Sequence, residues 1–181
     1  MQHRDHVELI RAGVQAGGYR WLELGAGEGA FTLALSELLG ADGRIVAVDR
    51  DRAALRTLET RAAEYPATVE VHVGDFTIDL PDGPFDAVLA ANSLHFVSDR
   101  TLTLDLVRRR LRPRGRLLIV EYDADRGNPW VPHPFSFRTW RREAVAAGFA
   151  EPRLIGRAPS RFLGAFYAAV AERDVSRSTP Q

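Results

Sequence analysis

Short apolar runs alternate with stretches of helical period along most of the chain. "YRWLEL" (19–24) is followed by a segment from Gly29 to Gly40 that puts Phe31, Ala34, Leu35 and Leu38 on one helical face and stops at a glycine suited to a C-cap. "RIVAVD" (44–49) precedes "DRAALRTLETRAAEY", which opens on an N-cap candidate, Asp51. In "TVEVHV", Val69, Val71 and Val73 share one face and Glu70 and His72 the other. "FDAVLAA" (85–91) and "RLLIVEY" (116–122) read as buried strands, with a helix from about Asp99 to Leu111 between them that Pro113 and Gly115 end. The exchange of strand and helix predicts an α/β domain with a parallel sheet. After a helix over 137–147, "PRLIGRA" and "FLGAFYAAVAE" are separated by three residues, too few for a parallel crossover, so they are expected to pair as an antiparallel hairpin.

The strand-to-helix turn "WLELGAGEG" (21–29) narrows the chemistry. Gly25 and Gly27 let backbone approach a ligand closely, and the helix that follows presents its N-terminus. Gly25, Gly27 and Ala30 also satisfy the dinucleotide spacing G-x-G-x-x-[GA], so a nicotinamide-dependent oxidoreductase is one reading. All 24 basic residues are Arg, which rules out a G-x-x-x-x-G-K-[ST] phosphate loop. Glu23, two residues before the glycines, favours a ligand with a cationic end over a pyrophosphate. Asp49 ends its strand where a carboxylate can accept from both ribose hydroxyls. Asp75 and Phe76, in "GDF", can meet an adenine edge and face.

In order and spacing, "LELGAGEG", "AVDRD", "GDF", "FDAVLAANSLHFV", "LRPRGRLLIVEY" and "AGF" resemble the class I S-adenosylmethionine-dependent methyltransferases from about Tyr19 to Ala171. The resemblance implies a Rossmann-like sheet of seven strands, mostly parallel, with an antiparallel strand in the terminal hairpin and helices on both faces. It implies S-adenosylmethionine as cofactor and S-adenosylhomocysteine as product. By position, Glu23 is implied near the methionyl amino group, Gly25, Ala26 and Gly27 as a backbone cradle, and Asp49 at the ribose. Arg50, Asp75 and Phe76 are implied at the adenine, and Asn92 near the methionine moiety and the methyl.

Residues just beyond strand ends should converge, which selects Asn92, Ser93, His95, Glu121 and Tyr122. Among them His95 is the best-placed candidate for a base, while Glu121 is expected to orient an acceptor or to pair with an Arg such as Arg138. Trp130, His133 and Phe135, in the proline-rich "GNPWVPHPF", can wall an acceptor pocket or simply pack. His3 and His6 share a helical face, but no third metal ligand is evident and no metal is expected.

Equal numbers of basic and acidic residues give no general attraction to nucleic acid or an anionic membrane, and no apolar run is long enough to span one. A charged N-terminus and the absence of cysteine favour the cytoplasm. The expectation is one domain over 1–172, with 1–18 as an N-terminal helix and candidate lid, and a flexible polar tail over 173–181. It acts on a small-molecule acceptor, and a non-catalytic binding module on the same fold is the other alternative.

Overall fold

In the computed structural model, residues 1–14, 19–160 and 162–175 are described. The elements run α1 (His3–Arg11), β1 (Arg20–Leu24), α2 (Ala30–Leu39), β2 (Arg44–Asp49), α3 (Arg52–Ala62), β3 (Thr68–Val73), β4 (Phe85–Ala91), α4 (Thr101–Arg110), β5 (Leu111–Tyr122), α5 (Phe137–Ala146), β6 (Arg153–Pro159) and β7 (Ala165–Glu172). A 3-10 turn over Leu94–Phe96 stands between β4 and α4. One seven-stranded sheet has the order β3-β2-β1-β4-β5-β7-β6, parallel through β5, with β7 antiparallel to both its neighbours. The terminal hairpin forms as the short connection demanded.

Strand alternation sorts the core into two faces. Trp21, Ile45, Ala87 and Leu89 pack against α1 and α2, while Leu22, Leu24, Val88 and Ala90 face α4 and α5. On the first side α3 adds Leu55 and Leu58 against Ala47 and Leu33. Helix α2 is therefore buried nearly all round, wider than the single stripe its period predicted: Phe31, Leu33, Ala34 and Leu35 are all inside. It starts after Gly29, held at φ +87°, and ends at Gly40 at φ +71°. Asp51 caps α3 by accepting from the N–H groups of Ala53 and Ala54.

Two expectations are corrected. The helix expected to reach Leu111 ends at Arg110, and β5 begins at once; "RPRG" is a bulge within it, as the register with β4 jumps from Phe85↔Leu111 to Ala87↔Arg116 and Arg114 takes φ +61°. A bulge tolerates Pro113, which has no N–H for a ladder. The described part of the N-terminal segment is core rather than lid: Val7, Leu9 and Ile10 of α1 are buried, and α1 packs on α2 and β6. Residues 15–18 of that segment, and 176–181 of the expected flexible tail, lie outside the described residues.

The registers bring strand ends level. Leu24 stands beside Val48 and Ala90, and Asp49 beside Val73, so the segments leaving β1 to β4 start along one line. Among the described residues no helix is long and apolar enough to cross a membrane.

Candidate functional site

Along that line runs a cleft of about 590 Å³, lined by Gly25, Asp49, Arg50, Asp75, Phe76 and Asn92 from the expected set, together with Ser93, Phe96, Val97, Asp99, Leu102 and their neighbours. Its volume suits a ligand of nucleoside size or larger. Of the expected residues, Glu23, Ala26, Gly27, His95, Glu121 and Tyr122 do not line it.

The glycine turn is built from the strand beside it. The N–H groups of Gly25 and Ala26 both donate to the Val48 carbonyl (2.8 and 3.0 Å), and that of Gly29 to Ala26. The N–H of Gly27 donates to Asp49 Oδ2 (2.8 Å), whose Oδ1 accepts from Asp51 N–H (2.8 Å). At these four positions the backbone N–H groups already have acceptors, so none is a free donor of the kind a diphosphate would need. Room is real at Gly27, where a Cβ would meet nothing within 4 Å, whereas at Gly25 it would stand 2.6 Å from Ser93 Cβ, and both residues have positive φ. Ala26 turns its side chain into the core under α3.

Glu23 lies beneath the loop, buried, with Oε2 unpartnered. Burial pushes its carboxyl up to about 8; the nearby Thr32 hydroxyl opposes the shift without meeting it in hydrogen-bond geometry, and the Asp49 carboxylate adds to it. Repulsion of phosphate by a full charge at Glu23 is therefore weaker than its sequence position implied, since the group is largely protonated at neutral pH. Its Oε2 is left without a hydrogen-bond partner. Asn92, at φ 54°, likewise keeps a buried Oδ1 without a partner in the cleft wall.

Asp75 makes an Asx turn, accepting from Thr77 N–H (2.9 Å) and hydroxyl (2.7 Å) with Oδ1 alone. Those two bonds, with help from Arg50, hold its carboxyl below the usual range, and Oδ2 is left to a ligand. Phe76 is half-buried, packed against the core and open to the cleft.

Behind the cleft sits a buried polar knot that the sequence hid. Glu121 is fully buried; its Oε1 accepts from the N–H groups of Ser93 (3.1 Å), Leu94 (2.9 Å) and His95 (3.3 Å), and its Oε2 meets His95 Nδ1 at 2.8 Å. The partner is thus His95 and a backbone turn, not Arg138. His95 is itself buried and stacks on Phe96, which lines the cleft, at 4.3 Å between ring centroids. His133 N–H donates to the His95 carbonyl (3.0 Å), tying the proline-rich loop to the same turn.

Of that loop's aromatics, Phe135 is core, beneath the Arg100 guanidinium, and Trp130 is exposed. His3 pairs with Glu37 and His6 stacks on Phe31. No group of three potential ligands stands ready for a metal among the described residues. Sequence reasoning missed Phe96, Val97, Asp99 and Leu102 as cleft residues; the available signal was Phe96 and Val97, apolar residues standing between the end of β4 and the start of α4.

The family described as Methyltransferase domain matches residues 22–119, more than half of the chain. A ubiquinone/menaquinone biosynthesis C-methyltransferase, UbiE, of Hahella chejuensis is 32% identical over 63% of this chain and 47% of its own length; the chain spans less than half of each of the UbiE relatives. Among solved structures, the YcgJ protein of Bacillus subtilis aligns with TM-score 0.74 at 16% identity, covering 95% of this chain and 99% of that one. Magnesium protoporphyrin IX methyltransferase of Synechocystis, solved with bound S-adenosylmethionine, aligns with TM-score 0.73 at 17% identity over 95% and 80%.

Proposed function

Since this chain belongs to the class I S-adenosylmethionine-dependent methyltransferase family, we propose that it holds S-adenosylmethionine in the strand-end cleft and passes the methyl group in line to a small-molecule acceptor. The observation that carries this reading is the convergence of strand-end residues: Asp75, with one carboxylate oxygen open, and Asn92, with an unmet amide oxygen, line one cleft, while Glu23 keeps an unmet buried carboxyl oxygen beneath the glycine loop, which has space above Gly27. These fit the group. Asp49 accepts from the ribose hydroxyls with lone pairs its two backbone bonds leave over, Asp75 and Phe76 meet the adenine beside Arg50, and Gly25, Ala26 and Gly27 give close approach. Glu23 faces the methionyl ammonium, and Asn92 stands near the methyl. Residues 1–172 serve as one domain in this reading.

When bound, S-adenosylmethionine supplies an electrophilic methyl on a sulfonium sulfur, so positioning does most of the work. The acceptor atom provides the electron pair of the new bond, the sulfur keeps the pair of the old one, and the acceptor's proton leaves to His95 through an intervening water, since the ring lies behind Phe96 and does not line the cleft. With Nδ1 donating to Glu121, Nε2 carries the lone pair that a base needs. Small-molecule acceptors are supported by the quinone and porphyrin named for the relatives.

A panel of metabolites incubated with methyl-labelled cofactor tests transfer. Label is expected on a small molecule, with turnover lowered about 10²-fold by His95→Ala and cofactor affinity little changed, since three backbone N–H groups still hold Glu121. Unaltered turnover in that variant would leave His95 a packing residue.

Glu23 carries a second expectation. A carboxyl raised from an ordinary value of 4.5 to about 8 makes the empty fold most stable below 4.5, and that contribution is lost as pH rises toward 8. A bound ammonium pulls the value down, so binding near pH 7 should release about one proton. Titration calorimetry in buffers of differing ionisation enthalpy reads this directly; release that persists in Glu23→Gln would assign the proton elsewhere.

A further inference from the structure

One wall of the cleft is a single stretch of chain. Phe96, Val97, Ser98, Asp99, Leu102 and Thr103 all line it, whereas Arg100 does not. The stretch runs from the end of the 3-10 turn into the first turn of α4, so no strand ladder fixes it. Ser98 and Asp99 also line a second pocket, of about 240 Å³, together with Arg100, Leu104 and Glu143. At that point the wall is one chain thick with open space on both sides, and its place has to be set from elsewhere.

Arg100 sets it. The guanidinium is buried over the Phe135 ring, 4.2 Å from its centroid. Its Nε and Nη2 donate to the two oxygens of Glu143 on α5, at 2.8 Å each, and its Nη1 donates to the carbonyls of Val97 (2.9 Å) and His133 (3.3 Å). Because the fork is planar, a carboxylate that engages Nε and Nη2 also decides where Nη1 points. One nitrogen thereby joins the wall at Val97 to the proline-rich loop at His133, and the His133 N–H carries the tie on to the His95 carbonyl (3.0 Å). A buried ion pair contributes little net stability, since removing both charges from water offsets much of their attraction. Direction is what this one adds. Resting on the cofactor reading above, we infer that Arg100 is a positioning residue for the cofactor: aimed by Glu143, it holds the wall from Phe96 to Thr103 at the spacing that the bound nucleoside needs.

The test titrates S-adenosylhomocysteine into the full chain by calorimetry, alongside Arg100→Lys and the double variant Arg100→Met with Glu143→Leu, with a melting curve for each. The double variant leaves no charge unpaired and is expected to melt within a few degrees of the parent. It should nevertheless bind S-adenosylhomocysteine about fivefold more weakly or worse, the equivalent of about one net hydrogen bond. Arg100→Lys keeps the charge but not the fork, and a similar loss there assigns the effect to direction rather than to charge. A role in stability alone would move the melting temperature and leave the affinity in place. Affinity within twofold of the parent in either variant would overturn the inference, and should the double variant fail to fold, Arg100→Lys decides. Failure of the parent itself to bind S-adenosylhomocysteine would overturn the cofactor reading instead, so the two are separated in one experiment.

Discussion

Glu121→Ala is expected to destabilise the domain by roughly 3–5 kcal/mol, the range seen when a buried charged network loses one member. The substitution strands four donors at once: the N–H groups of Ser93, Leu94 and His95, and His95 Nδ1 in its protonated tautomer. Each lies in the interior, where an unmet donor costs about 1–3 kcal/mol. For a chain of this length the loss corresponds to about 10 °C or more in melting temperature, read by calorimetry. Glu121→Gln keeps an oxygen in place and should fall between the two. A melting temperature within a degree or two of the parent in Glu121→Ala would show that water or a rearranged turn satisfies those donors, and the role given to Glu121 would go.

Asp49→Ala is the second large effect. It removes the proposed ribose acceptors and, at the same stroke, the acceptors of the Gly27 N–H in the glycine loop and of the Asp51 N–H ahead of α3. Hydrogen bonds to a charged acceptor contribute about 1.5–3 kcal/mol each, so cofactor affinity should drop about 10²-fold or more. The fold itself should survive, because Asp49 ends its strand at the cleft and the sheet registers do not depend on its side chain. Titration with S-adenosylhomocysteine checks the affinity and circular dichroism the fold. An affinity within threefold of the parent would place the ribose elsewhere.

How much of this was legible in the chain follows from what each feature depends on. Strand and helix alternation is local and periodic, so β2, α3 and the terminal hairpin could be placed from residues 44–49, 51–62 and 153–172. The carboxyl-end rule then picked out Asn92 and Ser93, both of which line the cleft. What stayed hidden was pairing across distance. Glu121 and His95 are 26 residues apart and meet only because β5 lies beside β4. Likewise nothing in "WLELG" says that Glu23 is sealed from water, and burial, not its neighbours in sequence, moved its carboxyl toward 8. Bulges escape for a related reason: "RPRG" carries the composition of a helix stop, and only the ladder with β4 turns it into part of a strand.

In the proposed binding mode the strand-end cleft holds an adenosine bearing a cationic methionyl end, and titrating the full chain with S-adenosylhomocysteine and, separately, with NADH decides it. Micromolar binding of S-adenosylhomocysteine and none of NADH is the predicted result; binding of NADH with no response to S-adenosylhomocysteine would contradict it.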